Sequence, residues 1–198
     1  MLYSIIRLLV FLILKIIFGI KVFGKNYIPK KGGFILASNH VSYLDPVVLA
    51  VACPRRLNFM ARDDLFCNPL FAWFLSRVGA FPVKRNSADP SAIKEAMRRL
   101  KHAEPLLLFP EGSRSFEGMP LEPQPGIGFL CAKLNVPVIP VFIRGTDKAL
   151  PRGARLIRPH RISVYFGKQI FIERRMPYQD IARRIMQEIR HLAWQELN

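Results

Sequence analysis

The strongest constraint on the fold of this chain is a recurring pattern. Short apolar runs, each closed by Pro, Gly or a charge, alternate with segments of helical spacing. The runs Phe34–Ser38, Leu57–Ala61, Ala80–Val83, Leu106–Phe109, Val138–Ile143 and Ile162–Phe166 are too short for helices and read as strands. Between them, Asp89-Pro90 supplies a side-chain cap and a proline for a first helical turn, and Ile93, Met97 and Leu100 follow at helical spacing. Near the end, Ile181, Ile185, Ile189 and Leu192 fall on one helical face, with Arg183, Arg184 and Arg190 away from it. Strands alternating with helices predict an α/β domain, with a mixed, largely parallel sheet flanked by helices.

Residues 1–23 break that pattern. They hold no acid and three bases, Arg7, Lys15 and Lys21. As one helix they would extend about 34 Å, long enough to cross a bilayer. At 100° per residue the bases fall within about one third of the wheel, with Ser4 beside them. A Lys near the middle of a span costs about 2.5–3.5 kcal/mol on insertion scales unless it snorkels. In the interface, the bases instead meet lipid phosphates while Leu, Ile and Phe enter the acyl region. A spanning helix and a buried core helix are the other two arrangements; the charges favour an in-plane or shallow re-entrant anchor. No secretory cleavage signature follows, so the segment is read as part of the mature protein. The expected division is an N-terminal membrane-interface anchor over 1–23 and one catalytic-sized domain over 24–198.

Composition narrows the class of partner. Thirty Lys and Arg against 14 Asp and Glu leave a net charge of +16, yet 51% of residues are hydrophobic and the mean hydropathy is +0.16. Disorder needs low hydrophobicity, and a polytopic membrane protein needs several long uncharged runs. A nucleic-acid binder would explain the charge but not the apolar surplus, and no nucleic-acid signature or basic tail is present. A basic globular domain working at an anionic membrane surface satisfies both facts. Cys53, Cys67 and Cys131 have no metal-ligand spacing and read as small hydrophobes in a reducing compartment.

Two polar clusters directly follow apolar runs: Ser38-Asn39-His40-Val-Ser-Tyr-Leu-Asp45-Pro46 and Pro110-Glu111-Gly112-Ser113-Arg114-Ser115. If their strands are parallel and near in the sheet, the clusters converge at its carboxyl edge, where ligands bind in open α/β sheets. His40 and Asp45 suit a general base and the carboxylate that orients it. The same spacing also suits a helix-capping Asp beside an ordinary polar loop residue. Glu111 to Arg114 form a recognition turn: Gly112 permits close approach, Ser113 donates a hydrogen bond, and Arg114 presents a planar fork to a phosphate. Arg85 could add a second guanidinium, or both arginines could be plain surface charges. There is no Gly-x-Ser-x-Gly elbow, and His40, His102, His160 and His191 are scattered, so neither a serine nucleophile nor a metal is expected.

Asn39-His40 with Asp45, then Arg85, then Glu111-Gly-Ser-Arg-Ser115, then Val136-Pro-Val-Ile-Pro140-Val resemble, in order, the four motifs of the 1-acyl-sn-glycerol-3-phosphate acyltransferase (lysophosphatidic acid acyltransferase) family. The similarity runs over roughly residues 24 to 170. It implies a glycerolipid acyltransferase fold and transfer of a fatty acyl group from acyl-CoA or acyl carrier protein to lysophosphatidic acid, giving phosphatidic acid. It also implies that His40 is the base and Asp45 its partner. Arg85, Glu111, Gly112, Ser113 and Arg114 would then bind the glycerol phosphate. No further cofactor is implied, and the expected location is a membrane surface, peripheral or monotopic, with the site at the cytoplasmic face. Ser113 stands where many members have Thr, and Pro82 interrupts the second motif. With two prolines, Val136–Val141 is expected at a sheet edge or in an irregular strand. An acyltransferase for another lysolipid or amino-lipid, a lipid hydrolase and a non-enzymatic membrane-binding protein are the competing readings.

Overall fold

The computed structural model describes residues 2–84, 89–115, 121–154, 156–173 and 175–195. Strands β1 (Lys21–Phe23), β2 (Ile35–Ser38), β3 (Asn58–Arg62), β4 (Ala80–Val83), β5 (Leu106–Leu108), β6 (Val138–Arg144) and β7 (Ser163–Phe166) form one sheet. Their order is β1-β7-β6-β2-β5-β3-β4, and among the described residues only the β6–β7 pair is antiparallel. Helices α1 (Leu2–Phe18), α2 (Asp45–Ala52), α3 (Pro69–Arg77), α4 (Pro90–Lys101), α5 (Pro125–Leu134), α6 (Thr146–Ala149) and α7 (Tyr178–Gln195) complete the fold. All six expected strands are present, their ends shifted by about a residue.

The connections sort the helices into two layers. From β2 through α2 to β3, and from β3 through α3 to β4, the chain steps toward the β4 edge. From β4 through α4 to β5, and from β5 through α5 to β6, it steps back. Parallel crossovers are right-handed, so α2 and α3 lie on one face and α4 and α5 on the other. The core follows the same split. Leu14 and Phe18 of α1 and Val48 and Leu49 of α2 pack with Leu36, Leu107, Ile139 and Val141. Ala96 of α4, Leu130 of α5 and Ile185 of α7 pack with Ile35, Ala37, Leu106 and Val138. Neighbouring residues of β2 thus enter opposite layers, as strand geometry requires.

Two expectations are corrected. The N-terminal helix ends at Phe18, because Gly19 takes a left-handed φ of +54° and the chain then enters β1. Lys21 is therefore in a strand paired to β7, and a cut after residue 23 would pass through a shared core that includes Leu14, Phe18 and Ile20. Val10, Phe11, Leu14 and Phe18 face the domain, and Arg7 on the same side donates to the Pro54 carbonyl at 3.1 Å. The outward arc, including Leu8, Leu9, Leu12, Ile13 and Ile16, is exposed and apolar, with exposed Lys15 at its margin. The helix is apolar nearly all round, so it can pack inward and still present an apolar surface. No helix among the described residues is long and apolar enough to cross a membrane.

Pro140 is the second correction, since β6 is an interior strand flanked by β7 and β2. Ile35 N donates to Pro137 O, so the odd-numbered residues of β6 serve the β2 ladder. Pro140 turns its nitrogen toward β7 where that strand ends, and its carbonyl still accepts from Gly167 N at 2.8 Å. Only one ladder bond is lost, at the margin of the antiparallel pair.

Candidate active site

β2 and β5 are hydrogen-bonded neighbours, with Ile35 opposite Leu106 and Ala37 opposite Leu108. The two polar clusters therefore leave the sheet side by side at its carboxyl edge. Asn39 holds the first turn open: its Nδ2 donates to Ile143 O and its Oδ1 accepts from Ile143 N, both at 2.9 Å. The side chain thus stands in for a β2–β6 backbone pair as the strands part.

His40 Nδ1 lies 2.8 Å from Asp45 Oδ2. The same oxygen accepts from Val41 N at 2.7 Å and Ser42 N at 2.8 Å. Asp45 is fully buried and opens α2, with Pro46 behind it in the first turn. Its carboxylate closes the turn that precedes α2 and orients the imidazole. The helix-capping role read from the spacing is not found, since Leu44 is the N-cap of α2 and no side chain caps it. An ionised Asp45 selects the tautomer with the proton on Nδ1, leaving Nε2 as the acceptor. The His40 ring stacks on Phe109, with centroids 3.9 Å apart and planes 16° apart, and keeps 16% side-chain exposure. It is held on one flank and reachable by solutes.

The second cluster is tied to the first through the backbone. Ser115 N and Oγ donate to His40 O at 2.9 and 3.2 Å. Gly112 adopts φ +68° and its N–H donates to Phe109 O at 3.0 Å, closing a tight turn that a residue with a Cβ would strain. Ser113 is exposed on that turn. Arg114 lies over the Tyr43 ring, its guanidinium carbon 3.5 Å from the centroid. Tyr43, inside the His40–Asp45 interval, and Phe109 thus join the site although the sequence reading gave neither a role. The only available sign was their position within or beside the motifs. Arg85 lies outside the described residues.

Glu111 is buried, and Leu121 N donates to its Oε2 at 3.1 Å. Burial raises its carboxyl above the ordinary 4.5; the Leu121 and His40 N–H groups and the charges of His40 and Arg190 only partly oppose this. The folded state therefore holds this proton to higher pH than the unfolded chain. Stability from this group is greatest below pH 4.5 and declines as pH rises through the folded value. Glu111→Gln should thus gain thermal stability relative to the parent between pH 4.5 and neutrality. Melting curves that stay a constant distance apart across that range would assign the effect elsewhere.

A family profile described as Acyltransferase matches residues 19–144, from β1 to the end of β6, and so spans both polar clusters. The chain is 30% identical over 153 residues to a 1-acyl-sn-glycerol-3-phosphate acyltransferase of Bacillus subtilis, covering 77% of this chain and 74% of that protein. It is 32% identical over 168 residues to the enzyme of that name from Streptococcus pneumoniae, covering 80% of this chain and 60% of that one. A chloroplastic protein of the same name from Brassica napus is 32% identical, with 40% of its length covered. The crystal structure of the 1-acyl-sn-glycerophosphate acyltransferase PlsC from Thermotoga maritima shares the fold at a TM-score of 0.75 and 24% identity, over 90% of this chain and 73% of that one. The class defined by profile and fold is that of the acyltransferases. Within it, the chain belongs to the 1-acyl-sn-glycerol-3-phosphate acyltransferase family.

Proposed function

We propose that this protein transfers a fatty acyl group from an acyl thioester, acyl-CoA or acyl carrier protein, to the free sn-2 hydroxyl of 1-acyl-sn-glycerol-3-phosphate, forming phosphatidic acid at a membrane surface. The observation that carries this reading is the His40–Asp45 pair set beside the Arg114 turn. His40 Nε2 takes the hydroxyl proton as the alkoxide oxygen attacks the thioester carbonyl. The new C–O bond forms, the tetrahedral oxyanion collapses with loss of the C–S bond, and the imidazolium returns its proton to the thiolate. Asp45 stabilises the imidazolium while it lasts. No acyl-enzyme forms on this route. Arg114 binds the substrate phosphate, with Gly112, Ser113 and Glu111 shaping the turn and Arg85 as a second cation. The outward arc of α1 lies in the bilayer interface, which is where the acceptor resides.

The test is purified protein with lysophosphatidate and each donor in turn, products scored by mass. Phosphatidic acid with an added acyl chain is expected; free fatty acid without acylated acceptor would assign a hydrolase. Arg114→Ala should raise KM for lysophosphatidate roughly 10- to 100-fold, the worth of one charge-assisted contact. Tyr43→Ala, which removes only the ring under the guanidinium, should give a smaller rise of the same kind, and Tyr43→Phe none. Unchanged KM and kcat in Arg114→Ala would remove Arg114 from the site.

A further inference from the structure

Helix α3 carries its apolar residues on the wrong side for a domain in water. Leu70, Phe71, Trp73 and Phe74 are all exposed, Leu70 at 77% and Trp73 at 52%, while Leu75 is the helix's buried residue. Leu65, in the short turn before the helix, is exposed as well. The spacing 70, 71, 73, 74 makes one helical face, and Arg77 extends it, its guanidinium carbon 5.0 Å from the Trp73 centroid. Exposed apolar patches of this kind mark interaction surfaces.

The layer to which α3 belongs identifies the partner. By the right-handed β3–α3–β4 crossover, α3 lies on the same face of the sheet as α2, and α1 packs on α2 from that side, so both outward apolar arcs belong to one layer. The opposite layer is mainly charged, with Lys94, Arg98 and Lys101 on α4 and Arg183 and Arg190 on α7. The exposed aromatics of α7, Tyr178 and Trp194, stand at its two ends and form no continuous face. Two separate arcs on a single face suit a planar partner better than a peptide. Asp63 and Asp64 of the turn offset Arg62 and Arg77, with Arg62 paired to Asp64, so the patch itself is neutral. The preference for an anionic partner comes from the net charge of +16 over the chain. Trp and Phe beside Arg are also the residues that settle at the headgroup boundary. We propose that α3 and the turn before it form a second contact with an anionic phospholipid bilayer, on the same face as α1. One helix on a membrane leaves the domain free to roll about its axis; a second contact fixes the roll. Since α3 starts from the carboxyl end of β3, the edge where His40 and Glu111 lie, the fixed orientation brings that edge to the lipid.

The proposal rests on the interfacial reading of α1, and native probes test it separately. Trp194→Phe leaves Trp73 as the sole tryptophan of the chain. On vesicles of phosphatidylethanolamine and phosphatidylglycerol at 3:1, Trp73 emission should shift to the blue and be quenched by lipids brominated near the headgroup. Adding Leu70→Ser and Phe74→Ser should weaken partition about tenfold, leave the melting temperature within a few degrees, and preserve turnover of acceptor dispersed below its micelle concentration. Three results would overturn it: co-sedimentation with vesicles while Trp73 emission stays unchanged, partition unaffected by the double substitution, or a dimer in sedimentation that the double substitution dissolves. Insertion of Trp73 in a protein that transfers no acyl group would sink the enzymatic reading and leave this one standing.

Discussion

His40→Ala is expected to lower acyl transfer by about 10²–10⁴-fold, the usual worth of a positioned general base, in a protein that stays folded. The surroundings of the ring say why the fold survives. Asp45 Oδ2 keeps its bonds from Val41 N and Ser42 N when the imidazole goes, so the buried carboxylate is not left bare. The Ser115 bonds end on the His40 backbone carbonyl, which alanine retains, and they still tie the two polar turns together. What disappears is the stacked face on Phe109 and the one nitrogen free to take a proton. Single-turnover transfer with dispersed acceptor, alongside a melting curve, separates chemistry from folding. Near-normal turnover in the folded variant would end the general-base mechanism.

How much of this could be read in advance depends on how each element spends its apolar residues. β2, β5 and β6 announce themselves because nearly every position in a short run is buried, with only Leu108, Phe142 and the terminal Arg144 less so. β1 is hidden: Lys21-Val-Phe23 continues an apolar helix in sequence, and the break depends on a single left-handed glycine. α3 gives no stripe pointing inward, so Pro69–Arg77 carries none of the periodicity that marks α4 and α7. α1 shows the reverse difficulty, since a helix apolar nearly all round does not disclose which side packs on α2. Pro140 looked like an edge because the direction of its missing N–H depends on the register with β2 and β7. At the site, the spacing of His40 and Asp45 carried their contact, because both lie in one turn. The contact of Arg114 with Tyr43 and of Phe109 with His40 required β2 and β5 to be neighbours, which is a property of the whole topology.

Asp45 is the position where charge and scaffold can be pulled apart, and two substitutions there should behave differently. Asn can keep an oxygen at the place of Oδ2, accepting from Val41 N, Ser42 N and the His40 ring. Its amide nitrogen then occupies the place of Oδ1, a buried atom with no hydrogen-bond partner among the described residues. The turn survives, but no anion faces the imidazolium formed during transfer, so Asp45→Asn should lose about 10²–10⁴ in kcat while melting close to the parent. Asp45→Ala removes the acceptor altogether and strands two backbone N–H groups at about 1–3 kcal/mol each. It should lose the same activity and melt several degrees lower as well. Activity retained by the Asn variant would confine Asp45 to holding the turn, and equal melting of both variants would show that the three bonds on Oδ2 contribute little to the fold.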